Sequence, residues 1–504
     1  MSATQTAHNA PLRALENSYL ELPPGFYARV APTPVARPRL LRVNRDLAEQ
    51  LGLDPNELAS EAGTALLAGN QVPAGAEPLA MAYAGHQYGQ FVPSLGDGRA
   101  ILLGERIDRD GQRFDIQLKG AGRTPFSRMG DGRAVLGPVL REYVLGEAMV
   151  GLGIPTTRAL AMVASGEEVY RERIEQGAVL TRVAASHVRV GTFEYFARRG
   201  DVDSVRQLAD YVIQRHYPDC RQADNPYQAL LAASAARQGE LIARWLLVGF
   251  IHGVMNTDNM TISGETIDYG PCAFMDTYQP DAVYSSIDRF GRYAYQQQPS
   301  IGMWNLTQLA QCLLPLLDTD DDVAQQQARA ALSAYVERFE ETYASGLRAK
   351  IGLADGQAGD QREDDALVQD LLARMAENNV DFTNCFRLLC ELKRDDPVAD
   401  PPLRALFAEP DAFDSWAEKW RARLARQSGN DAERSAAMRA VNPAYIPRNH
   451  RVQQVIDAAE ENDFKPLENL LQVVSHPFEE HAALAEYRLP PRPEEVVRQT
   501  FCGT

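Results

Sequence analysis

The chain has 504 residues, a formal net charge of −17 at pH 7 and a pI near 5.0. Its length allows a large core and two or more lobes or domains. Such an acidic protein should have no general affinity for nucleic acid or for anionic membranes. No apolar run approaches the ~20 residues that span a bilayer, and the N-terminus lacks a signal-peptide pattern. We therefore expect a cytoplasmic monomer without nucleic-acid or membrane partners.

The chain is expected to divide into three parts. Residues 1–80 are rich in proline at first and contain a short helical pattern at 44–51, which indicates an extension packed on the body. Residues 81–188 contain apolar runs separated by glycine turns, which favour strands. Residues 189–504 are mostly helical in pattern.

The predicted elements of residues 81–188 are strands at 99–104 and 113–119, a helix at 138–152, and strands at 157–163 and 178–183. Beyond residue 189 we expect helices at 202–216, 227–251, 306–317, 323–348, 367–377 and 450–461. The acidic run at 318–322 suits a helix N-terminus, and 354–365 an exposed loop. The fold class is α+β.

Two Gly-Asp-Gly turns could bind phosphate. Gly96, Gly98 and Arg99 belong to the first turn, and Asp131 and Gly132 to the second. Glycine lets backbone amides approach an anion closely, although most such turns are simply tight hairpins. Three arginines near the second turn, Arg123, Arg128 and Arg133, make that segment an anion-binding candidate.

Three further cationic side chains suggest a nucleotide site. Lys119 ends an apolar strand, where a lysine is usually an edge residue. It becomes significant if Glu142 or Glu147, on the next predicted helix, holds it against a phosphate. Arg182 and Arg189 lie seven positions apart near the boundary between the strand-rich and helical parts. Arginines are common on surfaces, so their spacing alone leaves both interpretations open.

Residues 252–270, HGVMNTDNMTISGETIDYG, resemble the catalytic segment of the protein-kinase fold. That segment has the patterns H-R-D-x-x-x-x-N and D-F-G, which supply a base and two metal ligands. Aligned from the His, Asn259 is in register and Asp268 matches the second ligand. Val254 stands where the base belongs, and Asp258 is the nearest carboxylate. Oxygen ligands of this kind suit Mg²⁺ or Mn²⁺.

Longer motifs make the chain resemble the selenoprotein O family of pseudokinase protein adenylyltransferases. They are AGHQYGQF at 84–91, LGDGRAILLGE at 95–105, QLKGAGRTPFSRMGDGRA at 117–134, HGVMNTDN, IDYGP and a Cys-Gly-Thr end. The resemblance implies a kinase-like bilobal fold with a small β-rich N-lobe, a large helical C-lobe and extensions at both ends. It also implies that ATP binds inverted, so that AMP passes to Ser, Thr or Tyr hydroxyls of protein substrates and pyrophosphate leaves.

The resemblance also implies roles for individual residues. It selects Glu142 as the partner of Lys119, Asp258 as the base, and Asn259 and Asp268 as ligands of Mg²⁺ or Mn²⁺. The implied nucleotide-binding residues are Gly96, Gly98, Arg99, Lys119, Asp131, Gly132, Arg182, Arg189 and Asp268. Cys502 stands where many relatives have selenocysteine, and a disulfide to Cys272 would tether the tail over the site; a buried Cys272 and a disordered tail are the alternative.

Two other functions remain open on the sequence. A small-molecule or protein kinase could also follow His-Gly with an Asn and a later Ile-Asp. A catalytically inactive ATP-binding scaffold would keep the nucleotide residues and transfer nothing.

Overall fold

A computed structural model of the protein describes residues 12, 15–353 and 361–501. It is a mixed α/β structure with a β-rich N-terminal region and a helical C-terminal region. The strands are β1 (Tyr27–Arg29), β2 (Arg39–Val43), β3 (Leu79–Met81), β4 (Gly85–Gln87), β5 (Gln90–Val92), β6 (Ala100–Ile107), β7 (Arg113–Lys119), β8 (Ala134–Val135), β9 (Arg158–Tyr170), β10 (Ile174–Ala184), β11 (Phe250–Ile251) and β12 (Ala273–Phe274).

The α-helices outnumber the strands in the C-terminal region. They are α1 (Arg45–Gln50), α2 (Pro55–Leu58), α3 (Glu61–Leu67), α4 (Leu136–Gly151), α5 (Val190–Ala197), α6 (Val202–His216), α7 (Pro226–Leu247), α8 (Gln298–Leu317), α9 (Asp321–Lys350), α10 (Gln361–Glu377), α11 (Phe382–Leu389), α12 (Pro401–Arg404), α13 (Pro410–Leu424), α14 (Asp431–Val441), α15 (Asn449–Glu460) and α16 (Lys465–Val474). No helix among the described residues is long and apolar enough to cross a membrane.

An eight-stranded antiparallel sheet organises the N-terminal region. Its order is β1-β3-β6-β7-β10-β9-β2, and β8 pairs with β10. The first 80 residues therefore contribute strands to this sheet. In the register of β7 and β10, Gln117 lies opposite Arg182 and Lys119 opposite Leu180. Because side chains alternate along a strand, Lys119 and Arg182 project from the same face of the sheet.

Helix α4 lies between this sheet and the C-terminal helices. It contacts β9 and β10 on one side and α15 and α16 on the other. Leu140 and Val144 accordingly share a buried cluster with Val455 and Leu471. A helix enclosed on both sides must be apolar around most of its circumference. The buried carboxylate of Glu142 on this helix is therefore an exception that needs a partner.

Most predicted elements appear near their expected positions. The strand at 113–119 and the helix at 202–216 have the predicted bounds, and the acidic run at 318–322 leads into α9, where the Asp320 side chain accepts bonds from backbone amides. Of the predicted loop at 354–365, residues 354–360 lie outside the described residues and 361–365 begin α10.

The helix predicted at 227–251 was wrong at its C-terminal end. Helix α7 stops at Leu247, and Gly249 follows with φ of +74°. A glycine in this left-handed conformation terminates helices because it has no Cβ to clash. Phe250 and Ile251 then pair with β12 instead of continuing the helix. This short pairing brings the segments on either side of the His-Gly and Asp-Tyr-Gly motifs together.

Arg448 holds the junction between α15, α11 and the segment after β12. Its guanidinium is 1% exposed, donates to Asp381 at 2.8 and 3.2 Å, and also bonds Asp276.

We predict that Arg448→Met costs about 3–5 kcal/mol of unfolding free energy, because two buried carboxylates lose their cation. Chemical denaturation measures this loss. Arg439→Met, which breaks a half-exposed pair with Glu391, is the control and should cost far less; equal losses would contradict the assignment.

Candidate functional site

A cavity of about 540 Å³ opens between the sheet and the segment that carries the His-Gly and Asp-Tyr-Gly motifs. Its volume is in the range of small-molecule sites. Most sequence-predicted site residues line it: Gly96, Gly98, Arg99, Lys119, Asp131, Gly132, Arg182, Arg189, Asp258, Asn259 and Asp268. Glu142 is the one predicted residue behind the wall, where it contacts the side chains of Lys119 and Arg182. Residues from both regions of the chain therefore converge on one space.

Four charged side chains interact at the floor of the cavity, where Lys119, Arg182 and Asp268 line it and Glu142 lies behind them. Lys119 Nζ donates to Glu142 Oε2 at 2.6 Å and to Asp268 Oδ1 at 2.8 Å. Arg182 donates to Glu142 Oε1 at 2.7 Å and approaches Asp268 Oδ1 at 3.4 Å. Two cations and two carboxylates thus neutralise each other at the boundary between the protein interior and the cavity. We call these four residues the charge cluster.

Exposure within the charge cluster is uneven. The side chains of Arg182 and Glu142 are 3% and 5% exposed, whereas that of Asp268 is 35% exposed. Burial raises the pKa of the Asp268 carboxyl, but Lys119 and Arg182 outweigh burial and hold this pKa well below its usual range. Asp268 is therefore an anion that faces the cavity and still has surface available for a ligand. The residue pattern alone allowed either Glu142 or Glu147 as the partner of Lys119. Glu142 is the partner, and Glu147 pairs instead with Arg158 at 2.7 Å.

Asp268 has an unusual backbone conformation. Its φ is +63°, which is uncommon for a residue other than glycine and is found more often at functional sites. His252 supports the loop, because its Nε2 donates to the carbonyl of Ile267 at 2.9 Å. Burial lowers the pKa of His252, so the ring is a neutral structural link. The His of the His-Gly motif thus fixes the position of the Asp-Tyr-Gly turn.

Asn259 ends a short 3₁₀ helix, Thr257–Asn259. Its Nδ2 donates to the carbonyl of Val254 at 3.1 Å. Because the amide nitrogen is committed there, the side-chain oxygen remains as the acceptor toward the cavity. Val254 itself is buried, with 6% exposure, and offers no acid or base.

Asp258, the carboxylate that the sequence suggested in place of a base at Val254, lines the cavity. Its Oδ2 accepts a bond from Gln87 Nε2 at 3.2 Å, while its Oδ1 has no hydrogen-bond partner among the described residues. Burial raises the pKa of Asp258 to about 7. This Oδ1 is buried next to Gly85. A carboxyl at the cavity wall with a pKa near neutrality is suited to accept a proton.

The first Gly-Asp-Gly turn packs tightly on the segment after β7. Gly96 has a φ of +64°, and a Cβ there would overlap the Phe126 ring. Thr124 Oγ1 donates to the carbonyl of Asp97 at 2.6 Å. The Asp97 carboxylate in turn lies 3.7 Å from Arg189, whose guanidinium stacks 4.3 Å above the ring of Tyr83. Arg189 is thereby held at the cavity wall.

The second Gly-Asp-Gly turn has a partner that the sequence did not indicate. Arg171, from the turn between β9 and β10, donates to both carboxylate oxygens of Asp131, at 2.8 and 3.0 Å. This bonding is the main reason that the pKa of Asp131 is lowered. Arg133 donates to the carbonyls of Thr33 and Pro34 at 3.0 and 3.1 Å. The Arg133 side chain therefore fixes this segment to the backbone of residues 33 and 34.

The remaining arginines of this segment differ in position. Arg128 lines the cavity with a φ of +51°, whereas Arg123 is absent from its lining and donates to the carbonyl of Arg128. Sequence reasoning also missed Gln87, although its motif AGHQYGQF was recognised. Its contact with Asp258 spans 171 positions, which local patterns cannot reveal.

The described cysteines, which exclude Cys502, are all buried. Cys272 has 0% exposure. The hypothetical disulfide between Cys272 and Cys502 lies outside the described residues. Near the end of the described tail, Thr500 Oγ1 donates to the carbonyl of Pro271 at 2.5 Å.

Comparison with known proteins gives a consistent answer. Residues 12–475 match the family model described as protein adenylyltransferase SelO. The chain is 60% identical over 490 residues to a protein of Rhodopseudomonas palustris strain HaA2, a match that covers 97% of this chain and 99% of the relative. It is 61% identical to a protein of Bradyrhizobium diazoefficiens, with the same coverage, and 59% identical to one of Rhizobium johnstonii over 100% of both chains.

These three relatives carry the name protein nucleotidyltransferase YdiU. The similarity extends over the whole described site, from the first Gly-Asp-Gly turn to the Asp-Tyr-Gly motif. The chain therefore belongs to the SelO family of protein adenylyltransferases.

Proposed function

We propose that the protein transfers AMP from ATP to Ser, Thr or Tyr hydroxyls of protein substrates and releases pyrophosphate. The observation that carries the proposal is the placement of Asp258, whose carboxyl has a pKa of about 7, at the wall of the same cavity as the charge cluster. This arrangement combines a proton acceptor with groups that neutralise phosphate charge, as phosphoryl-transfer chemistry requires.

The nucleotide is assigned to the cavity between two lobes of a kinase-like fold. The proposed lobes are residues 81–188 and 189–504, with residues 1–80 packed on the body. This division is supported by the lining of the cavity, which combines Lys119 from β7 with Asp258 from the helical region. The Gly-Asp-Gly turns, Arg99, Arg182 and Arg189 would bind the phosphates in the inverted orientation, with the α-phosphorus toward Asp258.

The side chains present fit a divalent cation, Mg²⁺ or Mn²⁺, bound together with the nucleotide. Asn259 and Asp268 offer hard oxygen donors at the cavity wall, and such ions commonly take only one or two protein ligands. Within the described part of the chain, no group of three or more His, Cys, Asp or Glu side chains could hold a metal ion. The substrate phosphates would complete the coordination, and the bound ion would neutralise their charge.

In the proposed reaction the substrate hydroxyl oxygen forms a bond to the α-phosphorus of ATP. The bond between this phosphorus and the oxygen bridging to the β-phosphorus breaks, and pyrophosphate leaves with the electron pair. The proton of the hydroxyl passes to Asp258. Lys119 and Arg182 stabilise charge on the phosphates, and Glu142 positions both cations.

The alternative of a conventional kinase is less well supported. Val254 occupies the place of the kinase base, and its buried side chain cannot accept a proton. An inactive scaffold would not need a buried carboxyl such as Asp258 with an unpartnered oxygen, because leaving such a group unbonded costs stability.

Intact-mass spectrometry tests the proposed activity. After incubation with ATP and Mg²⁺ or Mn²⁺, we expect protein substrates, and the enzyme itself if it is a substrate, to gain adenylyl groups while pyrophosphate appears. Asp258→Asn keeps the shape of the side chain but removes the proton acceptor, and should reduce transfer by ~10²–10⁴-fold. A gain of phosphate groups, or full activity of Asp258→Asn, would contradict the proposal.

Asp268→Asn tests the proposed metal ligand. The change removes the negative charge that faces the cavity, while Lys119 and Arg182 keep Glu142 as a partner. We expect transfer to be abolished and ATP affinity to fall mainly in the presence of Mg²⁺. Isothermal titration with and without EDTA measures this. Asp224→Asn, at an exposed position, is the control; equal loss of affinity in EDTA and in Mg²⁺ would show that Asp268 does not hold the ion.

A further inference from the structure

A strip of aromatic and cationic side chains packs around the β4–β5 hairpin. Its central ring, His86, is buried, Phe91, Trp304 and Arg292 are half-buried, and Arg198 is exposed. The His86 ring is 5.0 Å from Phe91 and 5.2 Å from Trp304. Arg198 stacks on Phe91 at 5.4 Å, and Arg292 on Trp304 at 4.8 Å. The strip is thus continuous, with a guanidinium at each end and three aromatic rings between. We call these five residues the basic–aromatic strip.

The hairpin connects this strip to the proposed catalytic base. The residue after His86 is Gln87, which donates to Asp258 at 3.2 Å. The backbone amide of Tyr88 donates to Asn256 Oδ1 at 3.0 Å, and Tyr293 donates to the same oxygen at 2.6 Å. The strip and the base therefore belong to one hydrogen-bonded unit.

The loop that contains Arg292 also carries Arg289 and an exposed aromatic ring, that of Phe290. Phe290 is 98% exposed and Ile287 is 57% exposed, and Arg289 between them is also exposed. Asp288 holds the loop in place, because its carboxylate accepts the backbone amides of Arg292 and Tyr293 at 3.0 and 2.8 Å. Ile287 and Phe290 together form an exposed apolar patch next to Arg289, and patches rimmed by polar groups are typical of interaction surfaces.

The arginines of this surface have no acidic partner in the described part of the chain. Arg198, Arg289 and Arg292 form no ion pair with another described residue. The carboxylate of Glu194, beneath the strip, is already bonded to His86 and Thr257. Unpaired arginines grouped on one face stand out in a protein with a net charge of −17. Their field attracts acidic segments, which most of the surface of this protein repels.

We propose that the basic–aromatic strip, together with Arg289 and Phe290, docks an acidic, aromatic- or aliphatic-containing segment of the protein substrate and thereby brings its hydroxyl to Asp258. This proposal rests on the proposed AMP transfer and adds a substrate preference to it. The arginines contact carboxylates of the segment, and Phe290 contacts its apolar side chains. The docked segment lies outside the nucleotide cavity, so ATP binding does not depend on it.

Charge reversal of two exposed positions tests the docking surface. The variant is Arg198→Glu with Arg289→Glu, and the control is Arg329→Glu with Arg362→Glu, two exposed arginines on α9 and α10 without ion pairs among the described residues. Both variants change the net charge equally. Dephosphorylated casein serves as the acidic acceptor and lysozyme as the basic one, and AMP incorporation into each is measured at low and high salt.

We expect the strip variant to raise the KM for casein about ten-fold, because two attractive surface charges become repulsive. The effect should shrink at high salt, while ATP affinity and incorporation into lysozyme stay unchanged. The control should behave as the wild type. An unchanged KM for casein, an equal effect of the control, or AMP incorporation confined to the enzyme itself would overturn the docking surface while leaving AMP transfer intact. Absence of AMP incorporation into every protein, the enzyme included, would overturn both proposals.

Discussion

The ion pairs of Lys119 with Glu142 and Asp268 are the interaction on which the site depends. Arg182 completes the charge cluster, so two positive and two negative groups balance each other at the edge of the cavity. Ion pairs of this kind add little net stability, but removal of one member leaves a buried charge uncompensated. The main effect of the cluster is therefore to keep Asp268 ionised and to fix its position at the cavity.

The surrounding fold serves this placement. The register of β7 and β10 puts Lys119 and Arg182 on one face of the sheet. Helix α4, enclosed by the sheet and by α15 and α16, fixes Glu142 behind them. From the other region, His252 donates to Ile267 and sets the turn that carries Asp268. Elements from both halves of the chain must therefore be folded before the charge cluster can form.

Local pattern predicted a large part of this arrangement. Alternating apolar residues placed the strand that ends at Lys119, and helical periodicity placed α4 and α6. Two features escaped prediction, for different reasons. The pairing of Arg171 with Asp131 needs the β9–β10 turn to fold over the glycine segment, and the end of α7 was missed because Gly249 outweighs the apolar residues that follow it.

In the proposed reaction the substrate hydroxyl attacks the α-phosphorus of ATP. Parallel reactions with ATP labelled at the α-phosphorus or at the γ-phosphorus test it most directly, because all other components stay the same. We predict that the α-label becomes bound to protein and that the γ-label appears in pyrophosphate. Transfer of the γ-label to protein, with the α-label left in ADP, would contradict the account and identify a kinase.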